Sequence, residues 1–249
     1  MVVQTPSTYR DHLLRMTRAL AHANSEAIAV DLAPDSTPAA VKMFVDGNLD
    51  KRFEKLMNGL EFLAPAFRRF DNLVEAYVRE TTLSAYDTGV SDCDRMLTWL
   101  EQMRRLSSRQ LDYIACQRAR HQVEALAREH RLDYMRFHER WSVTQALVEQ
   151  LPAGVAILYL NPIRVWTTIG TAELLGEQVD RTTRVVFFPV AGEISTAALD
   201  DCGSALLAEL AALGPVTYLS WAATSKAAPN DDLLDIVRDL AAMGLVAVA

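Results

Sequence analysis

The sequence predicts an α+β protein: an N-terminal all-helical bundle over residues 1–151, then a small winged-helix-like α/β domain over residues 152–249. Three observations carry this division. No glycine or proline occurs from Val90 to Leu151, whereas both punctuate the chain after it. Apolar residues recur at helical spacing before that point, and the β-branched, apolar run Gly154–Leu160 follows it. Charge divides at the same place, with 20 Lys/Arg against 21 Asp/Glu in residues 1–151 and 5 against 11 in residues 152–249.

The helical part reads in order. "TYRDHLLRMTRALAH" is a short amphipathic helix with Leu13, Leu14, Thr17 and Leu20 on one side, and Asp31–Ala40 is a proline-bearing loop. Helical spacing resumes at Leu49, Phe53, Leu56 and Leu60, and Pro65 interrupts it. Phe70, Leu73, Val74, Tyr77 and Val78 form an i, i+3, i+4, i+7, i+8 stripe. Ser91, followed by Asp92 and Asp94, caps the next helix. Ser107 with Gln110 makes a capping box for the one after. A last helix covers about Leu132–Glu149.

In the second part, "GVAILYL" reads as a strand, and "TRVVFFPV" and "GEISTAAL" read as two strands joined by a hairpin turn at Ala191-Gly192. A helix over about Leu199–Leu213 carries acids in its first turn and ends at Gly214-Pro215. "VTYLSWAATSKA" is a second short helix. Asn230 caps a third that ends at Gly244, and "LVAVA" trails as an apolar terminus. Strands followed by three short helices are the parts of a winged helix.

Composition excludes several classes. Half the residues are hydrophobic and 23% are charged, as in ordinary globular chains. Three well-separated cysteines make no disulfide framework and point to a reducing, cytoplasmic setting. The start "MVVQTPSTYRDHLL" lacks the form of a signal peptide, and no apolar run is long enough for a bilayer, so no membrane is expected. The acidic second part is unsuited to phosphate backbones, so no nucleic acid is expected either.

Few residues suggest chemistry. None of the five histidines sits in a metal-binding motif; His121 and Glu124 lie one turn apart on a helix face rich in charge. Arg128, Arg131, Arg136 and Arg140 alternate with acids and read as a salt-bridged surface. Cys202, in a helical first turn, is a better candidate nucleophile than mid-helix Cys116. Phosphate-binding loops and nucleophile elbows are absent. No catalytic, cofactor-binding or metal-binding residue is assigned to this chain.

The C-terminal helix "PNDDLLDIVRDLAAMG" is too acidic to read DNA. Leu233, Ile236, Val237 and Leu240 form its core stripe, and Asp232, Asp235 and Asp239 an exposed arc. Between them, Leu234, Arg238 and Ala241 would suit a peptide lying along the helix. If "GEISTAA" is an edge strand, its open side can accept that peptide by strand addition. The expected peptide-binding residues are therefore Glu193, Ile194, Ser195, Thr196, Ala197, Leu234, Arg238 and Ala241.

The segments Phe44–Asp87 and Met96–Gln122 resemble the MbnC/TglI-type partner proteins, which accompany multinuclear non-haem iron oxidative enzymes in ribosomal-peptide (RiPP) modification. The resemblance rests on Phe44 and Asn48, Phe62 at a corner, Phe70 with Tyr77, Trp99-Leu100, and Tyr113 with Ala115. Leu63 stands where the family has proline and Arg118 where it usually has glutamate. A strand ending in "LNP", then "RVVFFPV" and a terminus ending "GLVA", extend the likeness over about residues 40–249. The resemblance implies a non-catalytic subunit. Its C-terminal domain would be like a peptide recognition element and capture a precursor's leader, and its helical domain would dock on the iron oxidase as a heterodimer. It implies no cofactor in this chain, the iron belonging to the partner. Two rival readings are a winged-helix transcription regulator and a stand-alone thiol enzyme built on Cys202 or Cys116.

Overall fold

The structure, a computed structural model, describes residues 37–81, 89–103, 105–147, 156–174, 182–226 and 230–249. The helix expected at residues 8–22, the first part of the expected loop and the strand start at Gly154 lie outside the described residues. Helices dominate the N-terminal part, and small sheets with further helices follow, giving a mixed α+β chain. Among the described residues no helix is long and apolar enough to cross a membrane. The chain divides into two compact units, Met1–Leu111 and Asp112–Ala249.

In the first unit, α1 (Pro38–Gly59) starts earlier than the sequence suggests. Thr37 Oγ1 accepts the Ala40 N–H at 3.2 Å, and Pro38 occupies the first turn, where its missing N–H costs nothing. Pro65 ends the helical run in a 3-10 segment, Glu61–Ala66. The helix α2 (Phe70–Glu80) buries Phe70, Val74, Tyr77 and Val78, the stripe its spacing predicts. Ser91 Oγ caps α3 (Asp92–Gln102) by accepting the Asp94 N–H at 3.0 Å. One buried polar knot ties these helices together. The Arg52 guanidinium, on α1, donates to both Asp92 carboxylate oxygens at 2.8 and 2.9 Å and to the Thr81 carbonyl at 2.6 Å. The Tyr77 hydroxyl donates to Asp92 Oδ1 at 2.8 Å.

The two units part in the first turn of α4 (Ser108–Glu129), which opens with the expected capping box. The Ser107 N–H donates to Gln110 Oε1 at 2.9 Å, and the Gln110 N–H to Ser107 Oγ at 3.3 Å. The helix α5 (Arg131–Leu147) follows. This compact unit begins well before the boundary expected at 151/152, because α5 is built into the C-terminal core. Trp141 Nε1 donates to the Ala241 carbonyl at 2.7 Å, and Thr144 Oγ1 bonds both the N–H and C=O of Val248 at 2.7 and 3.1 Å.

The second unit holds two three-stranded antiparallel sheets. One has the order β5–β1–β6, from β1 (Ile157–Leu160), β5 (Val216–Thr217) and β6 (Val246–Val248). The other has the order β2–β3–β4, from β2 (Val165–Ile169), β3 (Thr183–Val190) and β4 (Glu193–Leu199). Three helices complete it: α6 (Asp201–Leu213), capped by Asp200, α7 (Tyr218–Ala222) and α8 (Asn230–Met243). The trailing "LVAVA" is thus a buried strand rather than a tail. Leu158, Phe188, Ala197, Leu206, Trp221, Leu233 and Val237 share one apolar core. Buried Asn161 ties this core's margins, donating to the Pro189 and Gly244 carbonyls, both at 3.1 Å. Gly244 ends α8 at φ 87°, and a Cβ there would lie 2.6 Å from Val190 Cγ2, so only glycine fits this close approach.

Candidate functional site

The open edge of β4 is the feature of the second unit that best presents main chain to a ligand. The hairpin forms as its sequence predicts: Ala191 and Gly192 adopt φ 50° and 89°, the pattern of a two-residue type I′ turn. Such a turn closes on the hydrogen-bonded pair Val190↔Glu193, and bonded and non-bonded pairs alternate from there. Ser195, Ala197 and Leu199 therefore bond β3. Pro189, without an N–H, falls opposite Ile194 at a non-bonded position, where the β3–β4 ladder loses nothing. The N–H and C=O groups of Ile194, Thr196 and Ala198 consequently point away from β3.

Among the described residues no strand pairs with that edge. Thr196 and Ala198 are exposed and Ile194 is half-buried. Edge strands are usually blunted by lysine, proline or a bulge, and β4 ("EISTAAL") has none of these. Its other expected residues, at alternate positions, share the face toward the core. Glu193 is exposed, Ser195 is half-buried, and Ala197 is 8% exposed and part of the core.

The helix beside this core corrects one expectation. Ala241 is 0% exposed, so it offers no surface to a peptide; its carbonyl receives Trp141 from α5. Arg238 is half-buried, donates to Asp235 at 3.0 Å, and acts electrostatically on the Tyr218 hydroxyl of α7. Burial raises that hydroxyl's pKa, while Arg238 lowers it and Asp235 raises it. Leu234 is half-buried against the core. The Leu234–Arg238–Ala241 flank is thus engaged with α5 and α7. The sequence could not show this, because the covering residues Trp141 and Tyr218 lie far away in the chain.

The opposite flank of α8 carries Asp232, Ile236, Asp239 and Met243, at i, i+4, i+7 and i+11. Asp232 acts on the thiol of Cys202, which lies in the first turn of α6 directly after β4. At the other end of the helix, Gly244 meets Val190, the residue before the β3–β4 turn. The helix therefore has its N-terminal end toward the start of α6 and its C-terminal end toward the β3 end of the hairpin. Asp232 and Asp239 are exposed, Ile236 is half-buried, and Met243 is 37% exposed. The sequence had these acids only as solvated surface.

Two of the three thiols are held toward the protonated form. Burial, then the charges of Asp200, Asp232 and Glu209, raise the Cys202 pKa, contrary to the lowering a helix start alone would give. Burial, aided by Asp112, pushes Cys116 up to about 12. His121 sits 2.8 Å from the Gln117 side-chain nitrogen. Among the described residues no group of three or more His, Cys, Asp or Glu is placed to hold a metal ion. A cleft of about 370 Å³ in the first unit runs between α1 and α2, with Leu49 and Phe53 beside the carboxylates of Asp46, Asp50, Asp71 and Glu75. No nucleophile or histidine lines it. No protein-family model, curated protein or solved structure matches this chain.

Proposed function

We propose that this chain is a peptide-binding, non-catalytic subunit that takes an extended peptide as an added strand on β4. The observation that carries the reading is the open, unblunted β4 edge, with outward main-chain groups at Ile194, Thr196 and Ala198. At about 3.4 Å per residue these three positions engage a stretch of five residues, about 14 Å. The hydrogen bonds would hold the peptide with little regard to sequence, and side chains near the edge would select among peptides.

In this reading the unit formed by α6, α7 and α8 with the β5–β1–β6 sheet is winged-helix-like, and it serves as a peptide recognition element rather than a DNA reader. The acidic surface of α8 favours that choice over the transcription regulator. The raised thiols favour it over the thiol enzyme. The resemblance to MbnC/TglI-type partner proteins extends the proposal: the peptide is a ribosomal precursor, and the helices of residues 37–111 dock on a multinuclear iron oxidase. A tethered leader raises the effective concentration of the segment to be modified.

The test uses peptides encoded in the neighbourhood of the gene, titrated into the full chain by fluorescence anisotropy. Thr196→Pro removes an outward N–H at a position that the β3–β4 ladder does not use, so the fold persists. Binding of wild type that weakens at least tenfold in Thr196→Pro is the expected result. Equal binding by both proteins would reject strand addition. Co-expression with an adjacent oxidase-like protein tests the second half, and failure to recover an iron-containing complex would reject it.

A further inference from the structure

The cleft between α1 and α2 has the build of a docking groove, and its charges say what it takes. Each helix turns one face to it. On α1, Leu49 and Phe53 stand one turn apart, with Asp46 and Asp50 beside them; on α2, Val78 shares the lining face with Asp71 and Glu75. Val78 is buried and Leu49 and Phe53 are half-buried, so the apolar residues form the floor. All four carboxylates are exposed and form a rim on both walls. Among the described residues the one cation lining the cleft, Arg79, is held by Glu75 at 2.5 Å.

We infer that this groove receives a cationic amphipathic helix of a partner protein, which rests on the reading of residues 37–111 as the docking part. The lining runs from Asp46 to Phe53 on α1 and from Asp71 to Arg79 on α2, about 10–12 Å at 1.5 Å per residue, or two helical turns. A helix laid there sets apolar side chains at i and i+3 or i+4 on Leu49 and Phe53. Lys or Arg on its flanks meets carboxylates on both walls. The same charges decide against other occupants. Nucleic acid and anionic lipid surfaces carry the wrong sign. A second copy, cleft to cleft, would set two acidic rims against each other, and like charges across an interface oppose association. Exposed carboxylates contribute modestly one by one, so the selectivity needs the apolar floor and several acids together.

The probe is a synthetic peptide of about sixteen residues, leucine along one helical face and lysine elsewhere, titrated into the full chain by fluorescence anisotropy. Its controls carry glutamate for lysine, or serine for leucine. The protein variants are Asp46→Asn/Asp50→Asn, exposed and mid-helix so that the fold persists, and Asp232→Asn/Asp239→Asn, which removes as much charge from α8. Asp71 is left in place because it lies in the first turn of α2, where a carboxylate also favours the helix. Binding of the leucine–lysine peptide should weaken about tenfold in the α1 variant at low ionic strength and little in the α8 variant, with a smaller difference at high salt. Both control peptides should bind at least tenfold more weakly. Equal binding by wild type and the α1 variant, a control peptide that binds as well, or no binding of the leucine–lysine peptide would overturn the inference. A concentration-dependent dimer that the α1 variant abolishes would make a second copy the occupant and refute it. An iron-containing complex recovered in equal yield with the α1 variant would overturn the groove as the docking site and leave docking on the oxidase standing. No such complex with wild type, beside peptide binding that the α1 variant weakens, would reject the oxidase and uphold the groove.

Discussion

Thr144→Val should destabilise the second unit by about 3 kcal/mol, and the reason lies in the strand pairing of β6. Ile157 and Ala249 exchange both main-chain bonds, at 2.8 and 3.1 Å, so the next pair, Leu158↔Val248, is a non-bonded one. The N–H and C=O of Val248 therefore face away from β1, into buried surroundings. The Thr144 hydroxyl meets them there, accepting the N–H at 2.7 Å, with its one proton shared between the Val248 carbonyl at 3.1 Å and the Arg140 carbonyl at 3.0 Å. Thr144 is 0% exposed and Val248 3%, so bulk water has little access to either group. Valine keeps the shape and removes the oxygen. Each orphaned buried group costs about 1–3 kcal/mol, and the added methyl returns about 0.8 kcal/mol. Thr144→Ser is the control: it keeps the hydroxyl and loses one buried methyl, worth about 1 kcal/mol. Equilibrium urea unfolding of the two variants gives the order. A valine variant as stable as the serine variant, or more so, would refute the role given to this hydroxyl and the incorporation of α5 into the C-terminal core.

Asp92→Ala should cost about 3–5 kcal/mol in urea unfolding, because the Arg52 guanidinium, its side chain 8% exposed, loses its counter-charge. Replacing Arg52 with methionine and Asp92 with leucine together should recover most of that loss. Alkaline pH should also weaken the fold. Burial, reinforced by Asp92, pushes Tyr77 up to about 12 from 10.0, and burial pushes Cys116 up to about 12 from 9.0. Both groups stay protonated in the folded chain where the unfolded chain has released its protons. Their stabilisation is intact below pH 9 and falls as pH rises toward 12, by a total on the order of 5 kcal/mol. Unfolding measured from pH 8 upward checks this, and Cys116→Ala should flatten the first part of the decline. An unchanged slope in that variant would contradict the assignment.

Short-range chemistry made much of the fold legible in the sequence. The cap at Ser91, the capping box at Ser107 and Gln110, and the Phe70–Val78 stripe each depend on residues within two turns of one another. The hairpin at Ala191-Gly192 needs only two positive φ values and two flanking strands. Local signals failed where pairing is distant. The short strands β5 and β6 exist because both lie against β1, and in sequence they read as the start of a helix and a tail. The division into compact units at 111/112 differs from the expected 151/152 for the same reason: Trp141 and Thr144 reach partners about a hundred residues away.

At the candidate site, the sequence by itself determined the two elements, the β4 strand and an acidic amphipathic α8, and the alternation that leaves one edge of β4 to be filled. Periodicity fixes which residues share a helix flank, but it carries no information about which flank meets which neighbour. Only the tertiary structure decided that Leu234, Arg238 and Ala241 turn toward α5 and α7, with Ala241 fully buried. That choice follows from packing between residues far apart in the chain.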